Sequence, residues 1–186
     1  ILLNGTHLEH LELGAMDQVT ADGLKHIAKS QRLRRLALPN SFCVDDGIWN
    51  ILGNNLILQC LDLTLVQCDV EAFRLMANLK NLRTLKLDGR RSDISSECFS
   101  IICESFRELQ HLELGLIDKL TNEDGLKFHL LKRLRHLSFV GAERFSFLTF
   151  MKGLGSSAME SLSVGGASIT IVALAGIASN HPRLET

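Results

Sequence analysis

Leucines return along this chain in a fixed frame. The segment L-x-x-L-x-L appears as Leu8-Leu11-Leu13, Leu33-Leu36-Leu38, Leu58-Leu61-Leu63, Leu82-Leu85-Leu87 and Leu109-Leu112-Leu114. Conservative exchanges carry it on as Leu134-Leu137-Phe139 and Met159-Leu162-Val164, and Leu184 opens an eighth copy. Successive starts lie 25, 25, 24, 27, 25, 25 and 25 residues apart. A three-leucine frame that returns seven times at nearly one interval is an internal repeat.

Each copy follows one plan. The end of L-x-x-L-x-L alternates apolar and polar residues, as a short strand with one buried face does. Turn residues follow, such as Gly14, Pro39-Asn40, Asp88-Gly89, Gly141 and Gly165-Gly166. An apolar residue and a helix-capping residue then close the loop, at Val19-Thr20, Val44-Asp45, Ile94-Ser95 and Leu120-Thr121. Apolar residues three and four apart come next, as in Leu24-Ile27-Ala28, Leu148-Met151 and Leu174-Ile177-Ala178, and predict an amphipathic helix. Strand, loop and helix within ~25 residues make one coil of a superhelix, with right-handed crossovers between parallel strands. Strands pack ~4.8 Å apart and helices ~8–10 Å apart, so the sheet is expected on the concave side. The predicted fold class is therefore α/β, a solenoid of seven full repeats over residues 1–186. Apolar Ile1-Leu2-Leu3 at one end and Leu184 at the other lead us to expect a fragment of a longer array.

Val19-Thr20-Ala21-Asp22-Gly23-Leu24, Val44-Asp45-Asp46-Gly47-Ile48 and Leu120-Thr121-Asn122-Glu123-Asp124-Gly125-Leu126 resemble the I-T-D-x-G-L signature of cysteine-containing leucine-rich repeats. His181-Pro182-Arg183-Leu184 is similar to the C-P-x-L join before each strand of that subclass. Where the subclass carries its loop cysteine, this chain has Met16, Ser41, Val66, Arg90, Ile117, Ala142 and Ala167. The resemblance implies a protein-interaction module of the kind found in F-box/leucine-rich-repeat subunits of cullin–RING ubiquitin ligases. A ligase adaptor, reached through an F-box preceding residue 1, is then an expected partner. The alternative is a ligand-sensing or autoinhibitory domain of an intracellular immune receptor. A GTPase-activating repeat protein fits less well, because its repeats are longer.

Composition narrows the partners. Twenty basic and twenty-one acidic residues leave a formal charge of −1, without the basic excess of a nucleic-acid or membrane-surface binder. No apolar run reaches the ~18–20 residues that span a bilayer. The five cysteines, Cys43, Cys60, Cys68, Cys98 and Cys103, are odd in number and lack a C-x-x-C spacing. They read as free thiols in the cytoplasm or nucleus, with Cys43 and Cys68 the one pair expected to approach. Asn4-Gly5-Thr6 fits a glycosylation acceptor, a tripeptide too common to outweigh the cysteines.

If the frame leucines point inward, the intervening residues face out. The third position of each repeat reads His10, Arg35, Cys60, Thr84, His111, His136 and Ser161. The fifth reads Glu12, Ala37, Asp62, Lys86, Glu113, Ser138 and Ser163. Chemistry changes at each step while the frame stays, as expected of a surface that reads a partner. The candidate contacts are His10, Glu12, Arg35, Asp62, Lys86, His111, Glu113 and His136. Loop residues Leu65, Arg90, Arg91 and Leu116 form a candidate rim, where the arginines would suit an acidic or phosphorylated segment. His111, His136 and Glu113 are the one set with metal-ligand or acid–base chemistry. No nucleophile elbow, phosphate loop or H-E-x-x-H accompanies them, so no enzyme, metal or cofactor is predicted. His26 and His129 read as helix surface or packing residues, and Trp49 as core.

Overall fold

The computed structural model describes residues 7–14, 21–28, 30–41, 44–88, 90, 94–141, 146–155, 159–165, 176, 179 and 181–184. Strands and helices alternate through them: β1 (His10–Glu12), α1 (Ala21–Ala28), β2 (Arg35–Ala37), α2 (Asp46–Gly53), β3 (Cys60–Leu63), α3 (Val70–Met76) and β4 (Thr84–Leu87). The order continues with α4 (Ser96–Ser105), β5 (His111–Leu116), α5 (Asn122–Leu126), a 3-10 turn (Lys127–Leu130), β6 (His136–Val140), α6 (Phe147–Leu154) and β7 (Ser161–Val164). The seven strands form one all-parallel sheet in chain order. Each strand is bonded to the next, and each helix packs on its successor.

The leucine frame builds the core. Its first members, Leu33, Leu58, Leu82, Leu109, Leu134 and Met159, are buried, as are Leu36, Leu61, Leu85, Leu112 and Leu137 between them. Leu11 and Leu162, on the outermost strands, are half-buried. Helices cover this layer through Ile48, Trp49 and Leu52 of α2, Phe73 and Met76 of α3, and Phe99 and Ile102 of α4. Trp49 is thus core, as its spacing predicts. Three phenylalanines from three other elements meet around Phe128: its ring centroid lies 4.9 Å from Phe99, 6.4 Å from Phe139 and 5.2 Å from Phe150.

Helix starts follow the capping residues. Asp45 accepts the Ile48 N–H at 3.0 Å, Asp69 the Ala72 N–H at 2.9 Å and Ser95 the Cys98 N–H at 3.3 Å, each relieving one unpaired donor of a first turn. At α5 the buried Asp124 carboxylate accepts the Thr121 N–H at 2.9 Å and the Ser96 hydroxyl at 2.6 Å, tying α4 to α5. Hydrogen bonds between equivalent positions also clip neighbouring repeats, as when the Asn55 side chain donates to Ser30 O at 3.2 Å.

Cys60, Cys68, Cys98 and Cys103 form no disulfide, and burial pushes the Cys103 thiol far up in pKa. Cys43, Asn4-Gly5-Thr6, Thr20, and Leu174, Ile177 and Ala178 of the expected helix lie outside the described residues. No helix among the described residues is long and apolar enough to cross a membrane.

Candidate functional site: the solvent-facing sheet surface

The two outward columns stand in strict register. His10, Arg35, Cys60, Thr84, His111, His136 and Ser161 pair strand to strand, and so do Glu12, Ala37, Asp62, Lys86, Glu113, Ser138 and Ser163. All fourteen are exposed or half-exposed, whereas the residue between each pair faces the core. Period-two alternation places them there, because successive strand side chains point to opposite faces.

The centre of the face is a charged cluster. Lys86 Nζ lies 3.3 Å from Glu113 Oε2, and His111 Nε2 lies 3.9 Å from the same oxygen. The His111 and His136 rings are 5.5 Å apart, tilted by 34°. His136 Nε2 in turn lies 3.5 Å from Glu160 Oε2, and Arg135 Nη1 donates to Glu160 Oε1 at 2.5 Å. Asp62 looks elsewhere, accepting the Thr64 N–H at 2.9 Å and its hydroxyl at 2.7 Å. His10, Glu12 and Arg35 are exposed on β1 and β2, apart from this cluster. Among the described residues no three His, Cys, Asp or Glu side chains converge as metal ligands. The cluster can form charge-assisted hydrogen bonds with a partner.

Partial burial holds His111 below its ordinary pKa of 6.5; the positive Lys86 and the neighbouring His136 add to the shift, and Glu113 opposes it. The unfolded chain therefore takes up a proton at this position before the folded chain does. By linkage, this group's contribution to stability falls as pH drops through the ordinary imidazole range. His111→Asn should flatten the loss of melting temperature between about pH 7.5 and about pH 5. An unchanged pH profile would show that the ring is not held neutral.

The rim residues differ among themselves. Arg90 is already engaged: its Nε lies 3.1 Å and 3.0 Å from the two Asp88 oxygens, and its Nη2 lies 2.6 Å from Oδ2. That pairing holds the buried Asp88 carboxyl below its ordinary range. Most of the Arg90 charge is thus neutralised by its own loop, so it offers an acidic partner less than its sequence suggests. Arg91 lies outside the described residues. Leu116 is half-buried, against Gly141, where an added Cβ would fall 2.2 Å from Leu116 Cδ1. The adjacent Ile117 and Val66 are buried, which resolves each apolar loop pair into one inward and one outer residue.

Leu65 adopts φ 60°, a left-handed conformation. Equivalent turn positions use Asn40 at φ 57° and Gly141 at φ 74°, residues that tolerate it. For leucine it costs about 1–2 kcal/mol. Leu65→Asn should therefore leave stability unchanged or raise it by up to about 1 kcal/mol in a urea titration. A loss above about 2 kcal/mol would instead mark Leu65 as packed loop core rather than rim.

Sequence reading passed over three members of this surface. Glu160 precedes β7 by one residue and holds both Arg135 and His136. Val140 ends β6 with 49% exposure, which continued alternation from His136 would have indicated. Arg83, exposed one residue before β4 as Glu160 is placed before β7, is the third, since Glu160 reaches the outward His136 from that position. No family model matches the chain.

Proposed function

We propose that this chain is a leucine-rich-repeat solenoid that binds a protein partner across the solvent-facing surface of its sheet. One observation carries the reading: two outward columns run in register over seven strands with changing chemistry, while the residues between them stay apolar. Core positions answer to packing, and outward positions are free to answer to a ligand. The repeat length and the Val44-Asp45-Asp46-Gly47-Ile48 type of loop-to-helix join favour substrate recognition within a cullin–RING ubiquitin ligase. A cullin that co-purifies with the full-length protein would support that role, and its consistent absence would remove it.

Charge reversal on the strand face tests the surface. Arg35→Glu and Lys86→Glu remove no buried apolar area and should cost roughly 0.5 kcal/mol of stability. Each should weaken capture of the native partner by over about tenfold. Lys25→Glu and Lys152→Glu, on the helix side, should bind normally. Retained binding by both strand-face variants, with loss on the helix side, would place the contact on the opposite surface.

A further inference from the structure

We infer that an acidic segment of a protein partner seats a carboxylate between Arg35 and Arg83, over the start of β3. This rests on the sheet-face reading above and gives it a chemistry. Among the described residues, five cations stand on the strands or one residue before them, and three are already compensated. Arg34 Nε lies 3.8 Å from Glu9, Lys86 Nζ lies 3.3 Å from Glu113, and Arg135 Nη1 lies 2.5 Å from Glu160. Arg35 and Arg83 are exposed and meet no carboxylate among the described residues.

Their placement brackets one strand. Arg35 pairs in register with Cys60, and the Arg83 N–H donates to Gln59 O at 2.7 Å, so the two flank β3 from β2 and β4. Their backbones are then about 10 Å apart, and a group midway lies ~5 Å from either. Both arginine side chains can span that distance. The residues beneath are the uncharged Gln59 and Cys60, and Thr84 adds a hydroxyl beside Arg83. The nearest acid on β3, Asp62, has its carboxylate engaged with Thr64. An arginine fork matches a carboxylate through paired N–H donors.

The surroundings select the class of anion. Glu9 and Glu12 beside β2, Asp62 on β3 and Glu113 beside β4 flank the two arginines, and the chain carries a formal charge of −1. A nucleic-acid backbone, charged at every step, would meet those acids. A short protein segment with one or two carboxylates satisfies both arginines without doing so.

Cys60 supplies a local reporter, since it is half-exposed while Cys68, Cys98 and Cys103 are buried. The first measurement compares alkylation at Cys60 by anionic iodoacetate and neutral iodoacetamide, read by mass spectrometry of the digested protein. Relative to iodoacetamide, iodoacetate should react about threefold slower in the Arg35→Gln/Arg83→Gln double variant than in the wild type. The second measurement is fluorescence anisotropy with a fluorescein-labelled oligoglutamate peptide at low salt. The double variant should bind it about tenfold more weakly, whereas Lys86→Gln, whose ammonium is already paired, should change binding less than about twofold. Equal peptide binding by wild type and double variant would overturn the inference. So would stronger binding of single-stranded RNA or inorganic phosphate than of the peptide, lost in the same variant. If the native partner is released by Lys86→Glu but not by the double variant, the sheet-face reading stands and this inference falls. If the peptide maps to Arg35 and Arg83 while the native partner ignores every strand-face variant, the anion clamp stands and the proposed function falls.

Discussion

Phe128→Ala should cost about 3–5 kcal/mol, one of the largest losses expected from a single truncation among the described residues. Phe128 is 1% exposed and sits in the 3-10 turn after α5. Its ring meets Phe99 of α4 edge-on, Phe150 of α6 edge-on and Phe139 of β6 in a stacked arrangement. Phe139 and Phe150 also meet each other, with centroids 5.2 Å apart. Truncation removes the middle of this cluster and leaves a cavity lined by rings that belong to three different elements. Those elements are held by the sheet and by their own helical bonds, so they cannot all close on the void. Geometric aromatic pairing adds about 0.5–1.5 kcal/mol per pair to the loss of buried area. Phe128→Leu, which refills most of the volume, should lose only about 1–2 kcal/mol. Urea titration measures both. A Phe128→Ala loss under about 1 kcal/mol would mean that the cluster is not a packed unit. The damage should also be local, because among the described residues each strand contacts adjacent strands and each helix adjacent helices. Amide exchange should accelerate in α4, α5 and β6 well before β2 and β3.

The periodic part of this fold could be read directly, and the aperiodic part could not. The strand ladder follows from the frame leucines, and the alignment of His10 with Arg35, Cys60 and the later members of the column follows from the interval between copies. Capping residues Asp45, Ser95 and Thr121 were legible because the chemistry of a helix start is local. Asp69 does the same work after Cys68, in a loop with no resemblance to the others. The phenylalanine cluster escapes a periodic reading because its four members occupy a helix, a turn, a strand and another helix, at unrelated repeat positions. The state of each surface charge escapes it too. Arg35 and Arg90 look alike in sequence, yet Arg90 is held by its own loop carboxylate and Arg35 by none among the described residues. Which long side chain folds back on which acid is decided by distances of a few ångström between strands. The columns of the candidate surface were therefore predictable, and its free charges were not.

Gly53→Ala should destabilise the protein by about 2–3 kcal/mol, against the direction that helix propensity alone gives. Gly53 is the last residue of α2, and alanine there would be favoured by about 1 kcal/mol in an isolated helix. The neighbouring helix reverses the sign. A Cβ at position 53 would fall 2.0 Å from the Leu75 carbonyl oxygen and 2.9 Å from its carbon, in the backbone of α3. Ordinary contact is about 3.5–4 Å, so the helices must separate by more than an ångström. Separation would strip contacts from buried Leu52 and Met76, which lie beside the two touching backbones. Overpacking of this kind typically costs about 1–3 kcal/mol, and a backbone that cannot swing aside puts Gly53 at the upper end. The same device recurs between α6 and α5, where a Cβ on Gly153 would lie 2.0 Å from Gly125 O. Gly47→Ala makes the internal comparison, because it lies in the same helix with a different neighbour. Its Cβ would meet Lys25 Cε at 2.9 Å, the end of a flexible chain that can swing away. The solvent-accessible Lys25–Asp45 ion pair that would be disturbed, 3.1 Å long and half-buried on the lysine side, contributes little. Gly47→Ala should stay within about 0.5 kcal/mol of the wild type. Urea midpoints of the two variants decide the matter. If Gly53→Ala proves as stable as the wild type, helix spacing is set by something other than glycine contact. If Gly47→Ala loses as much as Gly53→Ala, the glycines matter for backbone freedom rather than for close approach.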